Sequence, residues 1–269
     1  MSTKLSRREL LAATLLAPAA ALAQSQLPLH ASGLEHVGFS VPDPQKSAAF
    51  LGRIFDPQIF QEMAPPLRYY CRIGISYLAW GPNNTGTATM DHFCATVEDY
   101  RLEDMQKELK AVNINLTGSP GYNGFPDPDG IRVQLMATPG GFLPTIIAST
   151  RVTQGDPIVH PVGLDHIMLH VSDVDKSAEF YRRFFGKETR TKNPDRAWFT
   201  SNQTRLGLQK MDAGAKPHID HYAVRVVAFD KKSVTEKLKA INVEILPSTD
   251  ENLLRFKDYN GFAVELRGI

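Results

Sequence analysis

His166, His221 and Glu265 are the residues in this chain whose types could hold a metal ion together. Two imidazoles and one carboxylate can occupy one face of a divalent cation and leave its other positions open to a substrate and O₂. The three lie 55 and 44 residues apart, so no local turn can gather them. Each sits in a short apolar run that reads as a β-strand, where side chains two apart share a face. That places Met168 and His170 beside His166, Ala223 and Arg225 beside His221, and Ala263 and Arg267 beside Glu265, as the expected pocket wall. Within it His170 is the candidate proton carrier and Arg225 the candidate anion anchor. Plainer readings exist for each: a strand histidine satisfied in the core, a surface glutamate, an arginine in a surface ion pair.

The elements that must position these residues favour the metal reading, because the chain is built twice. Gly33-Leu34-Glu35-His36 recurs as Gly163-Leu164-Asp165-His166, and the match runs on through Val41/Val171, Asp43/Asp173, Lys46/Lys176 and Phe55/Phe185. Asp91-His92 recurs as Asp220-His221, and Leu109 to Asn113 as Leu238 to Asn242. Phe125, Asp127, Gly130, Val133, Gln134 and Leu135 recur as Phe256, Asp258, Gly261, Val264, Glu265 and Leu266. Three ordered blocks at an offset near 130 residues indicate a duplicated domain. His166, His221 and Glu265 therefore occupy corresponding positions of repeated units, and the first copy offers His36, His92 and Gln134 at the same places. Glutamine is a neutral, poorer ligand for a transition metal. The first copy therefore reads as a structural half without metal, with Cys94 on the face of His92 as packing or substitute ligand.

Each copy divides again, giving four modules near residues 34–81, 90–137, 164–211 and 219–266. The periodicity in each runs β-α-β-β-β. Asp43-Pro44 supplies an N-cap and a proline for the first helical turn, Asp173 caps the matching helix, and Gly186 falls where that helix must stop. Short strands follow at Arg68 to Ile73, Ser76 to Trp80, Ala197 to Thr200 and Arg205 to Gln209. Asp127-Pro128-Asp129-Gly130 and Tyr259-Asn260-Gly261 read as hairpin turns, and the former lacks the ligand spacing of a calcium loop. The fold class is α+β: four βαβββ modules paired into two tandem domains, residues 33–137 and 163–269, joined by a Pro/Gly/Thr-rich linker at 138–162.

Paired βαβββ modules with an opening G-L-x-H strand and a closing F-x-D-x-x-G-x-x-V-E-L strand resemble the vicinal oxygen chelate superfamily of glyoxalases, type I extradiol dioxygenases, epimerases and antibiotic-binding proteins. The resemblance covers residues 33–267. It implies sheets curved into cups that hold a divalent metal, Fe(II) first, with Mn(II), Zn(II) or Ni(II) as alternatives. The asymmetry between the copies resembles two-domain extradiol dioxygenases, in which the carboxyl-terminal half binds iron, and implies an oxidoreductase acting on a small aromatic or phenolic substrate. Metal-dependent glyoxalase or epimerase chemistry is the second expectation, with Gln209 where glyoxalase-like members often place a fourth ligand, and a non-catalytic ligand-binding cup is the third. The extradiol signature places a histidine and a tyrosine ahead of the final glutamate. Here residues 246–264 hold Tyr259 but no histidine, which leaves His170 or His218 as substitutes.

Composition narrows the partners to small molecules. A net charge of +1 with 22% charged residues gives no general attraction for nucleic acid. Two cysteines, Cys71 and Cys94, cannot build a Cys-rich zinc site. No phosphate loop, dinucleotide fingerprint or nucleophile elbow occurs. Arg7-Arg8 precedes an apolar stretch from Leu10 to Ala23 that ends in Ala21-Leu22-Ala23. It is too short to span a bilayer and resembles a twin-arginine export signal over residues 1–23. A mature periplasmic protein starting at Gln24 is expected, outside any membrane, as monomer or homodimer. Folding before export weakens the case for a Cys71–Cys94 bond.

Overall fold

The computed structural model describes residues 29–119, 122–137 and 148–269; the export-signal segment lies outside these. The described residues form two eight-stranded sheets. The first contains β1 (Ala31–Val41), β2 (Gln58–Gln61), β3 (Tyr69–Ile73), β4 (Ser76–Pro82), β5 (Thr89–Val97), β6 (Phe125–Pro126), β7 (Arg132–Ala137) and β8 (Ala148–Arg151). Their spatial order is β6-β7-β5-β1-β4-β3-β2-β8. The second contains β9 (His160–Val171), β10 (Thr189–Arg190), β11 (Arg196–Ser201), β12 (Thr204–Lys210), β13 (His218–Val227), β14 (Ile245–Leu246), β15 (Leu253–Lys257) and β16 (Ala263–Gly268). Their order is β10-β11-β12-β9-β13-β16-β15-β14. At the centre of each sheet the opening strands of two modules run antiparallel, and each is flanked by the closing strand of its own module in parallel.

Helices α1 (Pro44–Gly52), α2 (Leu102–Ala111), α3 (Val174–Phe185) and α4 (Lys231–Ala240) each follow an opening strand. Asp43 caps α1 by accepting from the Lys46 amide, and Asp173 caps α3 by accepting from the amides of Asp175 and Lys176. Gly186 ends α3 at a φ of 74°, where a side chain would be strained. Three modules show the β-α-β-β-β order; in the second, an isolated bridge between Thr117 and Gly124 stands where the first strand after α2 is expected.

The halves grip each other reciprocally. The Tyr181 hydroxyl on α3 donates to Asp127 at 2.8 Å, and Phe180 and Phe184 pack on Phe125 with ring centroids 6.2 and 5.4 Å away. In return Ser47 on α1 meets Asn260 at 3.0 Å, and Phe50 meets Tyr259. Each helix thus rests on the closing turn of the other half, and buried residues of both halves form one apolar core.

The stretch read as a linker is only partly loop. Ala148–Arg151 pairs antiparallel with β2, and β9 already begins at His160. The exposed edge of β2 offers backbone donors and acceptors that need partners, and the passing chain supplies them. Cys71 and Cys94 are buried free thiols. Among the described residues no helix is long and apolar enough to cross a membrane.

Candidate metal centre

Each of the four histidines repeated between the modules follows an acidic residue: Glu35-His36, Asp91-His92, Asp165-His166, Asp220-His221. In a regular strand the two side chains would point to opposite faces. Here each acid is the extra residue of a register shift. Glu35 is passed over between the pairs Leu34↔Ala95 and His36↔Cys94, and Asp91 between Gly38↔His92 and Phe39↔Met90. Asp165 is passed over between Ala223↔His166 and Val224↔Leu164, and Asp220 between Ile219↔Leu169 and His221↔Met168. Such bulges re-aim a side chain, and each acid meets the ring of the histidine that follows. Nδ1 lies 2.6 Å from the carboxylate at His166 and His221, 2.8 Å at His92 and 3.1 Å at His36. A carboxylate only accepts, so each Nδ1 carries the proton and each Nε2 presents its lone pair inward. These four acids are the supporting residues that strand periodicity alone did not reveal. Their sequence signal is the acidic residue repeated before each histidine.

In the second sheet the Nε2 atoms of His166 and His221 face each other at 3.2 Å. Glu265, buried on β16, brings its carboxylate oxygens to 3.5 Å from His166 Nε2 and 3.6 Å from His221 Nε2. An ion about 2.0–2.1 Å from each nitrogen would join a 3.2 Å pair at an angle of roughly 100°, an unstrained value for tetrahedral or octahedral coordination. The donor set therefore fits a divalent cation. Arg255 Nε stands 3.0 Å from Glu265, and Arg205 lies 2.6 Å from Asp165 and over the Trp198 ring. Burial raises the Asp165 carboxyl, but hydrogen bonds from His166 and Arg205 outweigh it and hold the group at about 2. Burial pushes the His166 imidazolium pKa down, which keeps its Nε2 available as a ligand.

The three donors open onto a cavity of about 450 Å³. Met168, His170 and Arg267 line it as strand alternation placed them, together with Gln209, Arg196, Arg205 and Arg255. His170 has Nδ1 3.6 Å from Asp220, and its ring meets that of His218 edge-on at 5.1 Å. Burial lowers its pKa. The Gln209 amide oxygen accepts from Arg196. Arg225 is elsewhere: four residues along β13, it donates to Gln203 and lines a different cavity with Ser32, Ser76 and Asn202. Alternation fixes only a face, and four strand residues carry a side chain about 13 Å along, too far to serve this site. Ala263 borders another cavity, and Tyr259 packs on Phe50 in its turn.

In the first sheet His36 and His92 repeat the arrangement, with Nε2 atoms also 3.2 Å apart. Gln134 takes the register position of Glu265, opposite Cys94 as Glu265 is opposite Ala223. Glu35, His36 and Cys94 also bring ligand atoms within 4.8 Å of one another, but burial drives the Cys94 thiol well above its ordinary value, away from the thiolate a metal would need.

Comparison with known proteins agrees with this architecture. Residues 163–266 match the Glyoxalase/Bleomycin resistance protein/Dioxygenase superfamily. The whole fold is similar to the 2,3-dioxygenase LapB from Pseudomonas sp. KL28, at 14% identity and a TM-score of 0.66, covering 90% of this chain and 93% of that one. It is similar to the Mn(II)-bound glyoxalase from Novosphingobium aromaticivorans, at 15% identity and a TM-score of 0.65, covering 89% and 82%. It is also similar to homoprotocatechuate 2,3-dioxygenase from Brevibacterium fuscum, solved with 3,4-dihydroxyphenylacetate, at 15% identity and a TM-score of 0.64, covering 88% and 81%. At such identities the likeness is one of fold.

Proposed function

Residues 163–266 form a domain of the Glyoxalase/Bleomycin resistance protein/Dioxygenase superfamily, and from that premise we propose that the chain is a metal-dependent, extradiol-dioxygenase-like oxidoreductase acting on a small phenolic substrate in the periplasm. The observation that carries the reading is the convergence of His166, His221 and Glu265 on one point at the floor of a cavity. These residues would hold the metal, Fe(II) or Mn(II), which would supply Lewis acidity and redox chemistry with O₂. Asp165 and Asp220 orient the two imidazoles from behind. Of the four arginines that line the cavity, Arg205 pairs with Asp165 and Arg255 with Glu265, while Arg196 donates to the neutral Gln209, and this guanidinium-rich wall favours an ionised phenol or an acidic substituent. His170, at the cavity wall, is within the site to take a phenol proton, with Asp220 and His218 beside it. Trp198 and Met168 add apolar surface for an aromatic ring.

The test is anaerobic purification, elemental analysis and O₂ uptake on a catechol series, with H221A alongside. Iron or manganese lost from H221A, together with O₂ uptake by the parent, supports the reading. Zinc or nickel at the same residues without O₂ uptake favours glyoxalase- or epimerase-like Lewis-acid chemistry. A parent chain unaltered in metal content by H221A overturns both.

A further inference from the structure

The amino-terminal half reproduces the histidine geometry of the carboxyl-terminal half although its third residue is neutral. His36 and His92 each present Nδ1 to a carboxylate, Glu35 at 3.1 Å and Asp91 at 2.8 Å, so both Nε2 lone pairs point at each other across 3.2 Å. Two lone pairs facing at that distance repel unless positive charge lies between them. Reversing one tautomer would only move the conflict, by turning a bare Nδ1 toward a carboxylate. The cation is therefore a shared proton or a metal ion, and the same roughly 100° bite found in the other half suits a metal. The second ring lies over Gly38, where a Cβ would stand 2.0 Å from His92 Cε1 and push the imidazole aside. Gln134 is buried at the register position of Glu265 and lines the same cavity of about 390 Å³ as both histidines.

We propose that the amino-terminal cup is a second metal site, in which His36, His92 and Gln134 hold a divalent ion of the zinc or cobalt class. All three donors are neutral, so the site lacks the charge that lets Glu265 retain harder ions. Imidazole-rich sets favour the later first-row metals. Glu35 and Asp91 act as positioning residues that hold each ring in the ligating tautomer. The cavity beyond the donors is lined by Tyr70, Tyr77 and Arg132, surroundings that suit an anionic fourth ligand.

The experiment is a Co(II) titration of the metal-stripped full chain, followed by visible absorption and by elemental analysis after desalting. The parent should take two equivalents, H221A one, H92A one and the double variant none. Asp91→Asn should weaken one of the two equivalents about 10–100-fold, and Gln134→Glu should tighten that same one, with both variants retaining the parent's circular dichroism. A parent that saturates at one equivalent and is unchanged by H92A overturns the proposal, and leaves a proton between the rings. Two equivalents that survive H92A also overturn it, and place the extra ion elsewhere, such as at His170, His218 and Asp220. If H92A fails to fold, unchanged affinity in both conservative variants overturns the proposal equally. Loss of catalytic O₂ uptake is no part of this readout, so it stands apart from the proposed reaction.

Discussion

The two cups share a frame and differ in their walls. Both place an acid-histidine pair on each of two central strands, with the acid at a register shift and the Nε2 atoms 3.2 Å apart. Around that constant pair the neighbours change. Beside the first histidine stands Tyr77 in one cup and Arg205 in the other. Beside the second stands Arg132 in one and Ala263 in the other. The third position of the set is held by Gln134 or Glu265, and the position of His170 by Ser40. Tyr77 stacks on His36 at 4.5 Å, whereas the second cup surrounds its donors with four arginines. Backbone geometry thus gives both halves the ability to orient two imidazoles, and a handful of side chains decides charge, proton traffic and what can approach.

The sharpest way to break this comparison is to erase its main difference. Glu265→Ala removes the anionic donor and leaves two neutral imidazoles. Retention of metal at that cup should weaken more than about 100-fold, beyond the loss expected from supporting residues. O₂ uptake on a catechol should fall to background. Elemental analysis after dialysis together with an oxygen electrode checks both, and an active, metal-replete variant would show that the glutamate is not a ligand.

His170 against Ser40 is the next difference. His170→Gln keeps a polar side chain of similar reach but cannot cycle a proton, so kcat should drop about 10²–10⁴-fold with KM and metal content near those of the parent. Burial lowers the His170 pKa, so in the parent the acid limb of the kcat profile should lie below the ordinary imidazole range and be lost in the variant. A uniform loss of metal would instead mean that the side chain only supports the cup.

The duplication explains how much the sequence disclosed. Repeated blocks put His166, His221 and Glu265 at equivalent module positions, and the α+β modules, the helix caps at Asp43 and Asp173 and the hairpin turns followed from local chemistry. The roles of Glu35, Asp91, Asp165 and Asp220 were hidden because period-two alternation assigns them to the opposite face, and a bulge cancels that alternation. Arg225 failed for a related reason: alternation gives a face but not a distance along the strand. The strand Ala148–Arg151 carries no alternating apolar pattern, since what holds it is the open edge of β2 rather than its own side chains.

The closing turns supply a contrast in stability. Asp127 receives the Tyr181 hydroxyl across the interface, whereas Asp258 Oδ2 is buried with no hydrogen-bond partner. Burial raises Asp258 from 3.8 to about 6 despite the backbone amides of Asn260, Gly261 and Phe262. The folded state then holds a proton that the unfolded state has released, so this contribution is fully present below about pH 4 and disappears as pH rises through about 6. Asp258→Asn removes the titration. Relative to the parent it should gain about 3 kcal/mol between pH 4 and 7, measured by urea unfolding. Asp127→Asn should show a smaller pH-dependent change and a loss at every pH from the altered Tyr181 bond. Equal pH slopes in the two variants would erase the contrast.

The finest difference lies in how tightly each acid grips its ring. Asp165 stands 2.6 Å from His166 and also accepts from Arg205, whereas Glu35 stands 3.1 Å from His36 and accepts from Tyr77 at 3.5 Å. A charge-assisted network holds the first ring, and a longer, looser one the second. Asp165→Asn keeps an acceptor but removes the charge, and should weaken metal binding in its cup by about 10–100-fold. Glu35→Gln should cost the other cup less, because its longer contacts contribute less orientation. Paired Co(II) titrations of the two variants measure the ratio directly. A larger loss from Glu35→Gln would mean that contact length does not set how firmly a ring is oriented, and that the carboxylate charge alone governs how well each imidazole binds.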